Sequence, residues 1–293
     1  MRVIKISPRG YCYGVVDAIQ MARRVARDPL VPRPIYVLGQ IVHNQHAVDS
    51  LGELGIITLD GGGRLDLLDQ IEGGTVIFTA HGVSPAVKRA AAAKGLNCID
   101  ATCPDVTRTH ELVVRLVAEG YEVIYVGKRG HPEPEGVLGE EPGHVHLVES
   151  AADVGALDLR TPLVAVATQT TLSQWDTATV IDRVRERYPQ AEINNDICRA
   201  TLERQQAAVS QAKDADLVLV VGDGRSNNSQ RLVQVVREVA HRPARLIDRA
   251  EDIDPAWFKG IRTVGVTSGS STPTEITRAV IHYLEALPPD ISA

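Results

Sequence analysis

The sequence predicts an α/β protein of parallel sheets covered by helices, built from three similar units. Three observations carry this expectation. Short β-branched apolar runs alternate with amphipathic helical stretches along the chain. Three cysteines, Cys12, Cys103 and Cys198, stand 91 and 95 residues apart, each just before a helical stretch. Each third of the chain also carries two polar loops where strands end, which is where parallel α/β proteins place their chemistry.

In chain order, the strand Val3–Ile6 stops at a Pro-Arg-Gly turn. Cys12 follows between two tyrosines, and a helix is expected over Val15–Arg27, where Val15, Ala18, Ile19, Ala22, Val25 and Ala26 share one face. Strands are expected at Pro34–Leu38, Gly74–Thr79 and Asn97–Asp100, with a helix at Pro85–Lys94. The second third reads as helix Pro104–Glu119, strand Glu122–Val126, strand Leu163–Ala167 and helix Ser173–Arg187. The last reads as helix Ala200–Lys213, strands Leu217–Val221 and Arg262–Val266, and helix Thr274–Leu287. Continuous apolar runs such as LVLVV at 217–221 suit strands buried on both faces. Ser84-Pro85 and Thr272-Pro273 place a capping residue before proline at the first helical position, and Thr272 with Glu275 has capping-box spacing. Cys103-Pro104 has the same layout, with a thiol where a good cap would carry oxygen. The expected domains are 13–100, 101–196 and 197–285 joined by 1–12, with 286–293 as a tail.

A chain of 293 residues suits two or three domains. A net charge of -6 argues against general nucleic-acid binding. No apolar run approaches the ~20 residues of a membrane helix, and the chain opens directly in a strand rather than a signal peptide. Four dispersed cysteines without a CxxC pair suit a reducing cytoplasm better than a disulfide framework.

The polar loops repeat as regularly as the thiols. "LGQIVHN" (38–44), "VGKRGHPE" (126–133) and "VGDGRSNN" (221–228) begin their glycines 27, 24 and 24 residues past the respective cysteine. "TAHGVSP" (79–85), "TQTTLS" (168–173) and "TSGSSTP" (267–273) begin 67, 65 and 69 residues past it. Three equivalent units closing around a pseudo-threefold axis would bring three thiols and six loops to one centre. Thiolates hold iron–sulfur clusters, and three of them on a cubane leave one iron open. Helix N-termini favour the thiolate form. A zinc site, which usually shows close cysteine pairs, and Cys12 as a nucleophile paired with a histidine stay open as alternatives. Cys98, within the strand LNCID and without a counterpart elsewhere, is expected to be a buried core thiol. The histidines of "HVH" at 144–146 are expected to be exposed on a strand face rather than to bind metal.

The loops supply His43, Asn44, His81, His131, Glu133, Thr170, Ser226, Asn227, Asn228 and Ser271. Imidazoles, hydroxyls and amides near helix N-termini are donors for an anion, and a diphosphate fits them. Glu133 is the only carboxylate of this set and is the proton-relay candidate.

Taken together, "GYCYGV", "LGQIVHN", "TAHGVSP", "DATCPDVT", "GKRGHPEPEG", "TQTTLSQWD", "DICRAT", "GDGRSNNSQRL" and "TSGSSTP" closely resemble, in order over roughly residues 1–285, the signatures of the LytB/IspH family of 4-hydroxy-3-methylbut-2-enyl diphosphate reductases. The resemblance implies a trefoil of three α/β domains around a 4Fe–4S cluster held by Cys12, Cys103 and Cys198, with one open iron for the substrate hydroxyl. It implies reductive dehydroxylation of an allylic alcohol diphosphate to isopentenyl and dimethylallyl diphosphates, the last step of the methylerythritol phosphate isoprenoid pathway. Two electrons would come from a ferredoxin- or flavodoxin-type donor. His43, His81, His131, Ser226, Asn228 and Ser271 would hold the diphosphate, and Glu133 with Thr170 would deliver protons. The chain departs from the usual pattern at Tyr11 and Tyr13, where phenylalanine is common, and at Arg199, where tyrosine is common. Asn227 stands where the phosphate loop usually has a second serine, and Gly224-Arg225 replaces a Lys-Asn pair. Asn227 is expected to contact phosphate through its amide. An acidic electron donor would need a basic patch, for which Arg23, Arg24, Lys128 and Arg129 are the candidates. The alternatives are a phosphate-binding iron–sulfur redox sensor without turnover and a cluster-free hydrolase using Cys12 or zinc.

Overall fold

The computed structural model describes residues 1–288; the last part of the expected tail, 289–293, lies outside the described residues. The chain runs β1 (Arg2–Lys5), α1 (Tyr13–Arg27), β2 (Ile35–Leu38), α2 (Gln45–Gly52), β3 (Ile56–Leu59), α3 (Arg64–Asp69), β4 (Thr75–Phe78), α4 (Pro85–Ala93) and β5 (Asn97–Asp100). It continues with α5 (Pro104–Ala118), β6 (Glu122–Val126), α6 (Pro132–Leu138), β7 (Val145–Val148), α7 (Ala151–Ala156), β8 (Val164–Thr168), α8 (Gln174–Arg187) and β9 (Glu192–Ile193). Then come α9 (Arg199–Gln211), β10 (Leu217–Val221), α10 (Asn227–Glu238), β11 (Ala244–Ile247), β12 (Thr263–Ser268) and α11 (Thr274–Ala286).

Two compact units contain these elements. The first takes residues 1–13, 43–47 and the chain from Arg199 onward; the second takes 14–42 and 48–198. The first holds one four-stranded sheet of order β11-β10-β12-β1. The second holds two, β3-β2-β4-β5 and β7-β6-β8-β9. All the pairings are parallel. The three sheets share one strand plan: two central strands, one outer strand between them in sequence, and a fourth on the opposite edge. In the first unit the N-terminal β1 fills that fourth place, with Val3 opposite Val264.

The central strands β4, β6, β8 and β10 are buried at every position, so both faces are largely apolar and they read as hydrophobic runs broken only at their ends by Thr75, Glu122 and Thr168. Burying each of their Val, Leu, Ile or Phe side chains is worth roughly 1.5–3 kcal/mol. Each sheet has an apolar core of its own. Leu38, Val76 and Phe78 pack with Val87 and Ala91; Val123, Tyr125 and Ala165 with Val113 and Leu116; Val264 and Val266 with Val280 and Leu284. On α1 the stripe expected from the periodicity is the buried one, including Val15, Ala18, Ile19, Ala22, Val25 and Ala26.

The expected strands form, with ends shifted by a residue or two, but the chain carries four more: β3, β7, β9 and β11. They lie on sheet edges, where only part of each strand is covered, and their mixed burial leaves no clean apolar run. The capping box at Thr272 does not form. Thr272 Oγ1 instead donates to the Val221 carbonyl at 3.0 Å, joining the loop after β12 to the end of β10. The topology places the chemistry consistently. All six polar loops follow central strands at their C-terminal ends, and Cys12, Cys103 and Cys198 follow the fourth strands β1, β5 and β9. Among the described residues no helix is long and apolar enough to cross a membrane.

Candidate functional site

In the second unit, a chain of hydrogen bonds starts at a cysteine. Cys198, the residue before α9, donates its N–H to the Thr170 carbonyl at 3.1 Å. Thr170 donates twice to Glu133, from its N–H to Oε1 at 2.7 Å and from Oγ1 to Oε2 at 3.1 Å. The Glu133 N–H donates to His131 Nδ1 at 3.1 Å, so His131 caps α6 with its ring. An Nδ1 that accepts leaves Nε2 to carry the ring proton. His131 meets His81 edge-on, with ring centroids 5.1 Å apart and planes at 83°. His81 sits in the turn after β4, and the left-handed Gly82 beside it (φ 75°) shapes that turn.

The sequence places 126–133 in a loop; from Pro132 the chain is helical. The signal was present, because Pro132 occupies the first helical position with Glu133 and Glu135 in the first turn. Glu133 is completely buried. Burial drives its carboxyl up to about 7, Thr170's two hydrogen bonds oppose that rise, and the charges of Asp196 and Asp105 add to it. Asp196, which accepts the Thr168 N–H at 3.2 Å, was not singled out from the sequence; its place two residues before Cys198 was the available clue. A carboxyl poised near neutrality can both give and take a proton.

In the first unit, the Cys12 N–H donates to the Ser270 carbonyl at 3.0 Å. The turn before it is fixed from both sides: Gly10 donates to Ser268 Oγ at 2.7 Å, and buried Arg204 donates to the Gly10 carbonyl at 2.7 Å. Arg204 lies on α9, and nothing local in the sequence announces this role. Ser226 caps α10, its Oγ accepting from the Ser229 N–H at 3.3 Å. Ser271 Oγ donates to the His43 carbonyl at 3.0 Å and lies 3.4 Å from Ser226 Oγ. Asn227 and Asn228 are buried in the first turn of α10, inside the helix rather than on the loop expected. Both amide atoms of Asn228 lack a partner, as does Asn44 Nδ2, although Asn44 Oδ1 accepts from the Ala47 N–H at 3.3 Å. An unsatisfied buried amide costs about 1–3 kcal/mol, a cost a bound ligand would remove. Donors of this kind beside the N-terminus of a twelve-residue helix suit an anion.

The thiols fit a metal cluster by their chemistry. None of the four cysteines is in a disulfide. Cys12, Cys103 and Cys198 each stand directly before a helix, and Cys103 occupies the cap position of α5 without making a side-chain cap bond. A Cβ added at Gly14 would lie 2.4 Å from Cys103 Sγ, so only glycine leaves that sulfur its room. Cys98 corrects an expectation: it is exposed on the edge strand β5 rather than buried in a core. His146 also does more than face solvent. It and Arg160 pair with buried Glu122 on the neighbouring β6 and outweigh burial to hold Glu122 below its usual range; His144 lies 3.8 Å from the same carboxylate.

The sequence profile of the LytB protein family matches residues 3–285. The 4-hydroxy-3-methylbut-2-enyl diphosphate reductase of Symbiobacterium thermophilum is 66% identical over 286 residues, spanning 97% of each chain. The enzyme of the same name from Geobacillus sp. strain WCH70 is 57% identical over 290 residues, 99% of this chain and 92% of its own. The solved structure of the E-1-hydroxy-2-methyl-but-2-enyl-4-diphosphate reductase from Plasmodium falciparum superposes with a TM-score of 0.92 at 32% identity, covering 99% of this chain and 90% of that one.

Proposed function

This chain belongs to the LytB protein family, and from that membership we propose that it reduces 4-hydroxy-3-methylbut-2-enyl diphosphate to isopentenyl and dimethylallyl diphosphates in isoprenoid biosynthesis, as a cytoplasmic enzyme. The reaction takes up two electrons and two protons and releases the hydroxyl as water. Cys12, Cys103 and Cys198 would hold a 4Fe–4S cluster through their thiolates, and the three domains are 13–100, 101–196 and 197–285 with 1–12. When bound, such a cluster supplies electrons that no side chain can carry. A ferredoxin- or flavodoxin-type donor delivers them, and the exposed Arg23, Arg24, Lys128 and Arg129 are where an acidic donor would dock.

The protein's own residues do the rest. The Asn44 and Asn228 amides, Ser226, Asn227 and Ser271, with His43, His81 and His131, bind the diphosphate as hydrogen-bond donors and fix the allylic end. Glu133, protonated below about pH 7, gives up the proton that lets the hydroxyl leave as water, with Thr170 orienting its carboxyl. The observation that carries this reading is the run from half-buried Cys198 through buried Thr170, Glu133 and His131, which ties a proton source near neutrality to a cysteine loop.

The test is to purify or reconstitute the protein without oxygen, assay iron and sulfide, and supply the allylic diphosphate with a low-potential reductant. About four irons per chain and formation of both products are expected. A protein that stays free of iron, or one that holds a cluster and turns over no substrate, overturns the proposal; the second outcome describes a redox sensor.

A further inference from the structure

A carboxylate stands in the loop assigned to the diphosphate, where its charge opposes the ligand. Asp223 lies between β10 and α10 and is 7% exposed. Its Oδ1 accepts from the Arg225 N–H at 2.8 Å and from Arg225 Nε at 3.3 Å. Its Oδ2 accepts from Arg225 Nη2 at 3.1 Å and from the Gln45 N–H at 3.0 Å. Arg225 Nη2 also donates to Gln45 Oε1 at 2.8 Å. On the same short segment, His46 Nε2 lies 3.1 Å from Asp248 Oδ2, and the His43 carbonyl accepts from Ser271. Residues 43–47 are thus fastened into the first unit, although the chain on either side of them belongs to the second. Burial alone would raise the Asp223 carboxyl, but the bonds from Arg225 and Gln45 outweigh it and keep the group ionised at neutral pH. An uncompensated anion here would repel another one bound at the start of α10.

We infer that Asp223 and Arg225 form a charge-neutral clasp that positions the His43–Asn44 turn against the 226–228 segment, Arg225 acting through Asp223 and not on the diphosphate itself. The clasp explains why the chain carries arginine in this loop: a guanidinium can bind a carboxylate through two nitrogens and still reach a second acceptor. Arg225 is a positioning residue, and Asp223 without it works against binding. The inference rests on reading this loop as the diphosphate site.

The experiment is calorimetric titration of the oxygen-free, cluster-loaded protein with inorganic pyrophosphate, at low and at high salt. Arg225→Ala should weaken binding about tenfold at low salt and by less at high salt, because screening softens the repulsion of the Asp223 carboxylate left without its arginine. The Arg225 side chain is half exposed, so its removal leaves no core cavity. Adding Asp223→Asn to Arg225→Ala should restore affinity to within about threefold of the unaltered protein, and Arg225→Lys should retain most of it. If the double variant binds as poorly as Arg225→Ala, or if Arg225→Ala binds normally, the clasp is overturned while the diphosphate reading stands. If the unaltered cluster-loaded protein ignores pyrophosphate, the diphosphate reading falls and the clasp falls with it.

Discussion

The second unit buries a carboxyl and leaves it poised near neutrality; the first buries amides and hydroxyls and leaves some of them without partners. Glu133 has no exposure, and its carboxylate accepts its hydrogen bonds from Thr170 rather than from a cation, so desolvation controls its titration. Asp223 in the first unit is nearly as buried, but Arg225 answers its charge and its carboxyl moves the other way. One residue class therefore serves opposite ends. Withholding a cation makes a proton donor, and supplying one makes a neutral brace. The comparison also explains why Asn44 and Asn228 are amides: a neutral donor can be buried unsatisfied at a tolerable cost, whereas a lone charge cannot.

The largest test asks which thiols hold the cluster. Replacing Cys12, Cys103 or Cys198 by serine should each remove the visible absorption and most of the iron, while Cys98→Ser keeps both. Iron retained in Cys12→Ser alone would remove Cys12 from the ligand set. Next, Glu133→Gln should lower kcat by about 10²–10⁴-fold, with little change in KM, and should flatten the fall in rate as pH rises through about 7. A pH profile that keeps its shape would place the proton donor elsewhere. Asn228→Ala should do the reverse. Losing hydrogen bonds to a charged group, about 1.5–3 kcal/mol, raises KM roughly 10- to 100-fold while kcat stays closer to normal. If kcat carries the loss, the division of labour between the units fails.

The smallest effect concerns stability. The Glu133 carboxyl titrates near 4.5 when unfolded and near 7 when folded, so the folded state holds the proton more tightly. Its stabilising contribution is complete below about pH 4.5 and is lost as pH rises through about 7. Urea midpoints of the unaltered protein, measured against Glu133→Gln, should diverge to the disadvantage of the unaltered protein across that window; parallel curves would mean the group is not buried as described.

Much of this architecture was legible in one dimension. Runs such as EVIYV and LVLVV announce central strands because both their faces are covered, and evenly spaced thiols and loops reveal three sheets because each sheet repeats one strand plan. The stripe on α1 follows from helical geometry alone. Edge strands such as VHLV and ARLI were invisible because partial burial allows mixed residues. The helices behind His131 and Ser226 passed for loops because their first turns carry prolines and asparagines, residues more often found in turns. What only the folded chain decided are the states of individual groups. Burial places the Glu133 carboxyl near 7, Arg204 reaches Gly10 across 194 positions, and Arg225 meets Gln45 across 180. Periodicity records which face of a segment is dry, but a charge takes its energy from neighbours that long separations in the chain bring close and local pattern does not name.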